Sequence, residues 1–312
     1  MVYAGLSAKR CFMEIITEVS QLNNKSFEKG CSVAIGKFET LHLGHMEIMS
    51  DIALYNPSVV ISFDEYFDDR KKLISDKRRF EILSKAGIKT YISVKAFEDL
   101  YSYSAEDFIE KILVNKFHAG RVVCGNDFKF GKGRTGNVGL LKKYGSKYGF
   151  SVRVYDMIKV DGCVVSSSKI RELIGEGNMS LAVSMLGRPY EFEGIVNKGN
   201  KIGRTLDYPT VNLSVSADRL IPKYGVYSST VTFFDNDTGD GCEYKGITNV
   251  GVKPTVTDER NITVETFIFD FSGVLYGKDL IVGLKDFVRP ERKFESLKQL
   301  KDQITSDIQR IM

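Results

Sequence analysis

No stretch of this 312-residue sequence approaches the roughly 18–20 consecutive apolar residues that a membrane-spanning helix requires. The N-terminus also lacks the basic, apolar, small-residue order of a secretory signal, so no membrane partner is expected and the cytosol is the expected compartment. Cysteine is sparse. Cys11, Cys31, Cys124, Cys163 and Cys242 lie far apart, form no C-x-x-C and leave one over from any pairing, which argues for reduced thiols rather than a disulfide framework. There is no block of like charge: the net charge is +4, with basic and acidic residues interleaved, so no nucleic-acid partner is demanded. No internal repeat is found, and histidine occurs three times. What is present, 43% hydrophobic and 27% charged residues, is ordinary for a soluble globular chain. The length favours two domains of about 100–200 residues each.

The pattern along the chain divides in two. Residues 1 to about 29 carry a helical apolar pattern (Phe12, Ile15, Ile16, Val19, Leu22), read as a short helix or lead-in. Apolar runs at 32–38, 58–63, 90–94, 121–124 and 151–155 then alternate with helical patterns at 45–54, 76–86, 105–117 and 138–148. Strands separated by helices predict βαβ units and a parallel, doubly wound, Rossmann-like sheet. From residue 192 the runs are shorter and punctuated by glycine and proline (192–197, 226–234, 242–250, 263–271, 279–287), which predicts a small antiparallel β-barrel. An amphipathic segment, 294–308, is expected to cap it. The fold class is α/β plus a barrel, with domains at 1–186 and 187–312.

Gly36-Lys37-Phe38-Glu39-Thr40-Leu41-His42-Leu43-Gly44-His45 leaves the first strong strand and enters a helix, where free N–H groups and the helix dipole favour phosphate. Gly44 between the imidazoles lets a triphosphate approach the backbone. A zinc site is an alternative, as is chance placement near a helix start; His118, the remaining histidine, carries no motif. The segment resembles the H-x-G-H signature of nucleotidyltransferases, and more closely the G-x-F-D-G-x-H-x-G-H form of FMN adenylyltransferases, with Glu39 and Thr40 in place of Asp and Gly. Phe63-Asp64-Glu65-Tyr66 lacks that family's following Pro-His. The resemblance implies attack of a substrate phosphate on the α-phosphorus of ATP, with His42 and His45 as donors to the developing charge and Gly36, Phe38 and Gly44 shaping the ATP site.

Gly131-Lys132-Gly133-Arg134-Thr135-Gly136 matches G-x-G-x-x-G, and Asp156 follows at a suggestive distance. The match does not follow the first strand, and Gly125 to Phe130 intervene, so a dehydrogenase fingerprint is rejected. Gly125 to Gly136 instead resembles the G-x-D-F-x-F-G segment of the flavin family, which implies flavin contacts for Asp127 and Phe128. Ser166-Ser167-Ser168-Lys169-Ile170-Arg171 resembles its S-S-T-x-I-R, implying that Ser167, Ser168 and Arg171 hold ATP; taken alone, the serines read as helix N-caps.

Gly194 to Gly199, then Gly203-Arg204, then Pro209-Thr210-Val211-Asn212 form an ordered cluster that closely resembles the riboflavin kinase domain. The resemblance implies that Thr210 and Asn212 hold Mg²⁺ through oxygen, the donor this hard ion prefers, and that Gly194, Gly199, Gly203 and Arg204 serve ATP. It also implies that Glu265 is the general base on the ribityl 5′-hydroxyl and that Arg289 helps close over the flavin. The expected function is therefore FAD synthesis, with riboflavin, FMN, FAD and ATP as substrates and products and Mg²⁺ as cofactor. Two alternatives stand beside it: a kinase whose first half is inactive or altered in specificity, and a non-catalytic flavin-binding module.

Overall fold

The computed structural model describes residues 13–63, 70–97, 99–197, 210–234, 241–253 and 261–311. It forms two compact units, one of Lys9–Arg70 with Ser75–Val165, the other of Ser166–Met312 with Lys71–Ile74. The sequence boundary at 186/187 therefore falls later than the division between units, because two helices ahead of it pack with the barrel.

The first unit runs β1 (Glu14–Ile16), α1 (Val19–Asn23), β2 (Cys31–Gly36), α2 (Leu43–Ala53), β3 (Ser58–Ser62), α3 (Asp76–Lys85) and β4 (Thr90–Ser93). α4 (Ala105–Asp107) continues as a π-helical stretch, Phe108–Lys116, before β5 (Ala119–Gly125), α5 (Val138–Tyr148) and β6 (Ser151–Tyr155). The sheet order is β1-β4-β3-β2-β5-β6, and every neighbouring pair is parallel. β3 is buried at every residue and β2 at all but its last, as a parallel sheet covered on both faces requires. Val33, Ile35, Val59 and Ile61 pack with Phe108 and Ile109 on one face; Ala34, Val60 and Tyr91 pack with Met49, Ile52 and Leu83 on the other. The helical reading of the lead-in is corrected in part. Ile15 and Ile16 pair with Tyr91 and Ile92 at the sheet edge, so pairing overrides the local period there and the helix starts only at Val19. A short hairpin, β7 (Lys159–Val160) and β8 (Cys163–Val164), follows β6.

The second unit opens with α6 (Ser167–Glu176) and α7 (Met179–Leu186). Each ends on a glycine in the left-handed region, Gly177 (φ 83°) and Gly187 (φ 70°), where a side chain would be strained. Six antiparallel strands follow: β9 (Tyr190–Asn197), β10 (Thr210–Ser214), β11 (Gly225–Phe234), β12 (Gly241–Lys253), β13 (Asn261–Ile268) and β14 (Asp279–Arg289). They close into a barrel in the order β10-β13-β12-β11-β14-β9. Its interior holds Tyr227, Val231, Val250, Val264, Val282 and Leu284. The buried hydroxyls of Thr248, Ser229 and Thr266 bond one another at 2.7 and 2.9 Å, which satisfies them without water. α8 (Leu297–Ile311) lays Ile308 and Ile311 on Val226, Ile247 and Phe267, capping the barrel as its amphipathic pattern predicts.

Candidate active sites

In the sheet, β2 has β3 on one side and β5 on the other, so the chain's winding reverses between β2 and β5. Loops leaving the carboxyl ends of such a pair diverge and open a crevice, the usual ligand site of open α/β sheets. The loops at this switch point are the two that the sequence singles out: Lys37–His42 after β2 and Asn126–Asn137 after β5. The end of β6 joins them: the Asn126 amide donates to Asp156 at 3.0 Å, and Ile158 lies 4.0 Å from where a Cβ on Gly44 would stand.

His42 is the N-cap of α2. Its Nδ1 accepts from the His45 backbone N–H at 3.3 Å, which leaves the ring proton on Nε2. Its ring stacks on that of His45 (centroids 3.6 Å apart), and the Phe38 ring meets His45 edge-on at 5.2 Å. Gly36 makes this arrangement possible, because a Cβ there would sit 2.9 Å from Phe38 Cζ. The loop is held firmly: Phe38, Thr40 and Leu41 are buried, and Leu41 adopts φ 47°, a costly conformation for a residue with a side chain. Among the described residues no three His, Cys, Asp or Glu gather where a metal ion would bind.

In the loop after β5, Asp127 is exposed, while Phe128 stacks on Phe130 at 5.4 Å. Phe130 and Gly136 exchange backbone hydrogen bonds that close the glycine segment on itself. A Cβ on Gly131 would lie 2.7 Å from the Ala105 backbone, and one on Gly136 would meet the Phe130 ring. These glycines are thus demanded by packing and by positive φ at Gly131 and Gly133.

The barrel places Asn212 directly across from Glu265 on β13. Glu265 in turn faces Asn249 on β12, and Asn212 faces Asn197 on β9. Their chain neighbours Leu213, Val264, Val250 and Val196 fill the interior, so this row projects from the outer surface. Opposed residues on one face have Cβ atoms about 4.5–5.5 Å apart, which makes Asn212 and Glu265 immediate neighbours. Thr210 lies on the same face as Asn212. Asn212 Oδ1 is buried and has no hydrogen-bond partner among the described residues, which fits an oxygen donor kept for a cation. Asn249 had no assigned role in the sequence; cross-strand register, which needs the strand pairing, reveals it. Its amide donates to Glu291 at 3.1 Å.

The other sequence candidates are placed as follows. A Cβ on Gly194 would stand 3.1 Å from Ser214 O, so glycine serves close strand approach. Gly199, Gly203 and Arg204 lie outside the described residues. Ser167 and Ser168 occupy the first turn of α6, and the capping oxygen is that of Ser166, which accepts from Lys169 N at 3.2 Å. Arg171 donates to the Lys71 carbonyl. Arg289 directs Nε to Asp307 of α8 at 2.8 Å.

Residues 24–169 match the family model described as FAD synthetase, and residues 186–312 match that of riboflavin kinase. The chain is 34% identical to the bifunctional riboflavin kinase/FMN adenylyltransferase of Buchnera aphidicola subsp. Acyrthosiphon pisum, over 92% of this chain and 94% of that protein. It is 29% identical to the Escherichia coli K12 protein of the same description, over 95% and 96%. A solved structure described as a macrolide-efflux protein from Streptococcus pneumoniae superposes with a TM-score of 0.80 at 26% identity, covering 95% of this chain and 97% of that one. Among the described residues, no helix of this chain is long and apolar enough to cross a membrane. With both family models matched in order and relatives aligned over nearly their whole length, this chain belongs to the bifunctional riboflavin kinase/FMN adenylyltransferase family.

Proposed function

We propose that this chain makes FMN from riboflavin and ATP on its barrel, and FAD from FMN and a second ATP on its sheet. The observation that carries the first half is the direct pairing of Asn212 with Glu265. Glu265 takes the proton of the ribityl 5′-hydroxyl as that oxygen bonds to the γ-phosphorus of ATP and ADP leaves. Thr210 and Asn212 offer a hydroxyl and an amide oxygen beside it, the donor set for Mg²⁺. Mg²⁺, when bound, neutralises charge on the phosphates.

In the second half, an FMN phosphate oxygen bonds to the α-phosphorus of ATP and the bond to pyrophosphate breaks. The Nε2–H of His42, fixed by the cap through Nδ1, and the stacked His45 donate to oxygens that gain charge in that step. The switch-point position of the loop supports this reading. Labelled ATP tests both halves: γ-label is expected in FMN, and α-label in FAD with unlabelled pyrophosphate released. Absence of γ-label from FMN overturns the first half; absence of α-label from FAD overturns the second.

A further inference from the structure

Glu265 has an amide side chain on each flank. Asn212 lies opposite it on β10 and Asn249 opposite it on β12, and all three share the outer face of the barrel. Asn212, with Thr210 two residues away on the same face, belongs to the proposed cation and phosphate side. Asn249 is half-buried, and its Nδ2 donates to Glu291 Oε1 at 3.1 Å.

That bond decides which end of the Asn249 amide faces the site. A carboxylate only accepts, so the NH₂ group must face Glu291 and the carbonyl oxygen is left on the opposite side. Glu291 follows β14, and the strand order β13-β12-β11-β14 places β14 beyond β12 as seen from Glu265. The NH₂ group is thus drawn away from Glu265, and Oδ1 remains on the Glu265 side as a hydrogen-bond acceptor. Gly251, two residues along the same face of β12, leaves room for this arrangement: a Cβ there would collide with the Glu291 carboxylate.

In-line transfer fixes the direction in which the acceptor lies. The attacking oxygen stands between Glu265 and the phosphorus, with the phosphates beside Thr210 and Asn212 on β10, so the chain carrying that oxygen leaves toward β12. Neighbouring strands are about 4.8 Å apart, which brings Asn249 within reach of the carbinol next to the reacting one. An acceptor in that place suits an O–H donor, and ribityl carbon 4′ carries one.

We infer that Asn249, its amide set by Glu291, accepts a hydrogen bond from the ribityl 4′-hydroxyl and so determines specificity for a polyol tail, a role that rests on the reading of Glu265 as the base. Glu291 is then a positioning residue. A bond that only anchored the chain after β14 would affect stability and treat all acceptors alike; a bond to the 4′-hydroxyl acts on one acceptor and spares another.

Phosphorylation of riboflavin and of its 4′-deoxy analogue is measured with ATP and Mg²⁺ in the full chain and in Asn249→Ala, Glu291→Ala and Glu291→Gln. The unmodified chain is expected to show a kcat/KM about 10-fold lower on the analogue than on riboflavin, as the loss of one hydrogen bond implies. Asn249→Ala is expected to lose about 10-fold on riboflavin and to stay within about 2-fold of the unmodified chain on the analogue, which also shows that its barrel is folded. Glu291→Ala loses part of the preference for riboflavin, while Glu291→Gln, whose amide oxygen still accepts from Asn249, keeps it. Three results each overturn the assignment: no preference for riboflavin in the unmodified chain, no loss on riboflavin in Asn249→Ala, or equal losses on both acceptors in that variant. Glu265→Gln separates this from the underlying reading: if that variant phosphorylates riboflavin at the full rate, the reading of Glu265 as the base fails, whatever Asn249 does.

Discussion

Arg289 and Asp307 pin the terminal helix to the barrel beside the kinase site. Asp307 is 4% exposed, accepts from Arg289 Nε at 2.8 Å and takes a second bond from Gln303 at 2.7 Å. Arg289 lies opposite Val226, Val226 opposite Asn249, and Asn249 opposite Glu265, so one transverse row joins the pin to the proposed base.

Removing the charge of Asp307 leaves Arg289 half-buried without its carboxylate; breaking a fully buried pair from one side costs about 3–5 kcal/mol, and the partial exposure of Arg289 lowers that. Asp307→Asn is expected to lower the urea midpoint accordingly and to make residues after 296 the first site of proteolysis. Unchanged unfolding and cleavage would show that α8 docks through Ile308 and Ile311 alone.

Asn212→Ala removes the orphaned buried oxygen while leaving the strand intact. The Mg²⁺ concentration needed for half-maximal FMN formation is expected to rise at least about 10-fold, with FAD formation from supplied FMN unaffected. Titration of both activities with Mg²⁺ checks this.

Gly36→Ala puts a Cβ 2.9 Å from Phe38 Cζ and must displace that ring, which packs edge-on against His45. Overpacking of this kind costs about 1–3 kcal/mol. FAD formation is expected to fall while FMN formation persists, measured on the same preparation.

Burial pushes the Cys31 and Cys124 thiols up to about 11 from an ordinary 9.0. At pH 8 their thiolate fraction is about 100-fold below that of an ordinary thiol, so among the four described cysteines alkylation is expected at the half-buried Cys163 and Cys242 first, by mass spectrometry. The sign for stability follows from the raised values. The protonated thiols are fully compatible with the fold below pH 9; above it the unfolded chain ionises first, and stability falls as pH rises toward 11.

The sequence foretold the parallel sheet closely, because the central strands β2 and β3 are buried, largely apolar runs and α2, α3 and α5 each open on a side-chain cap; α5 and β6 fall on the expected residues. It misread Glu14–Ile16, where a helical period hides a strand made by pairing with β4; Phe12, part of the same reading, lies outside the described residues. β10 was also not read as a strand, since Thr210-Val211-Asn212 carries turn-like residues and becomes a strand through pairing on both sides. Motif residues were legible at both sites. The partners of those residues were not: Asn249 and Asp307 reach their places through register or helix packing, which no local spacing records.

On the proposed function, one chain carries two independent phosphorus chemistries, each with its own residues. Chromatography of products from riboflavin, ATP and Mg²⁺ for Glu265→Gln and for His42→Ala/His45→Ala tests it most directly. Glu265→Gln is expected to make no FMN yet still convert supplied FMN to FAD, while the double-histidine variant accumulates FMN and stops there. Loss of both products in both variants, or FAD made at the wild-type rate without the histidines, would contradict it.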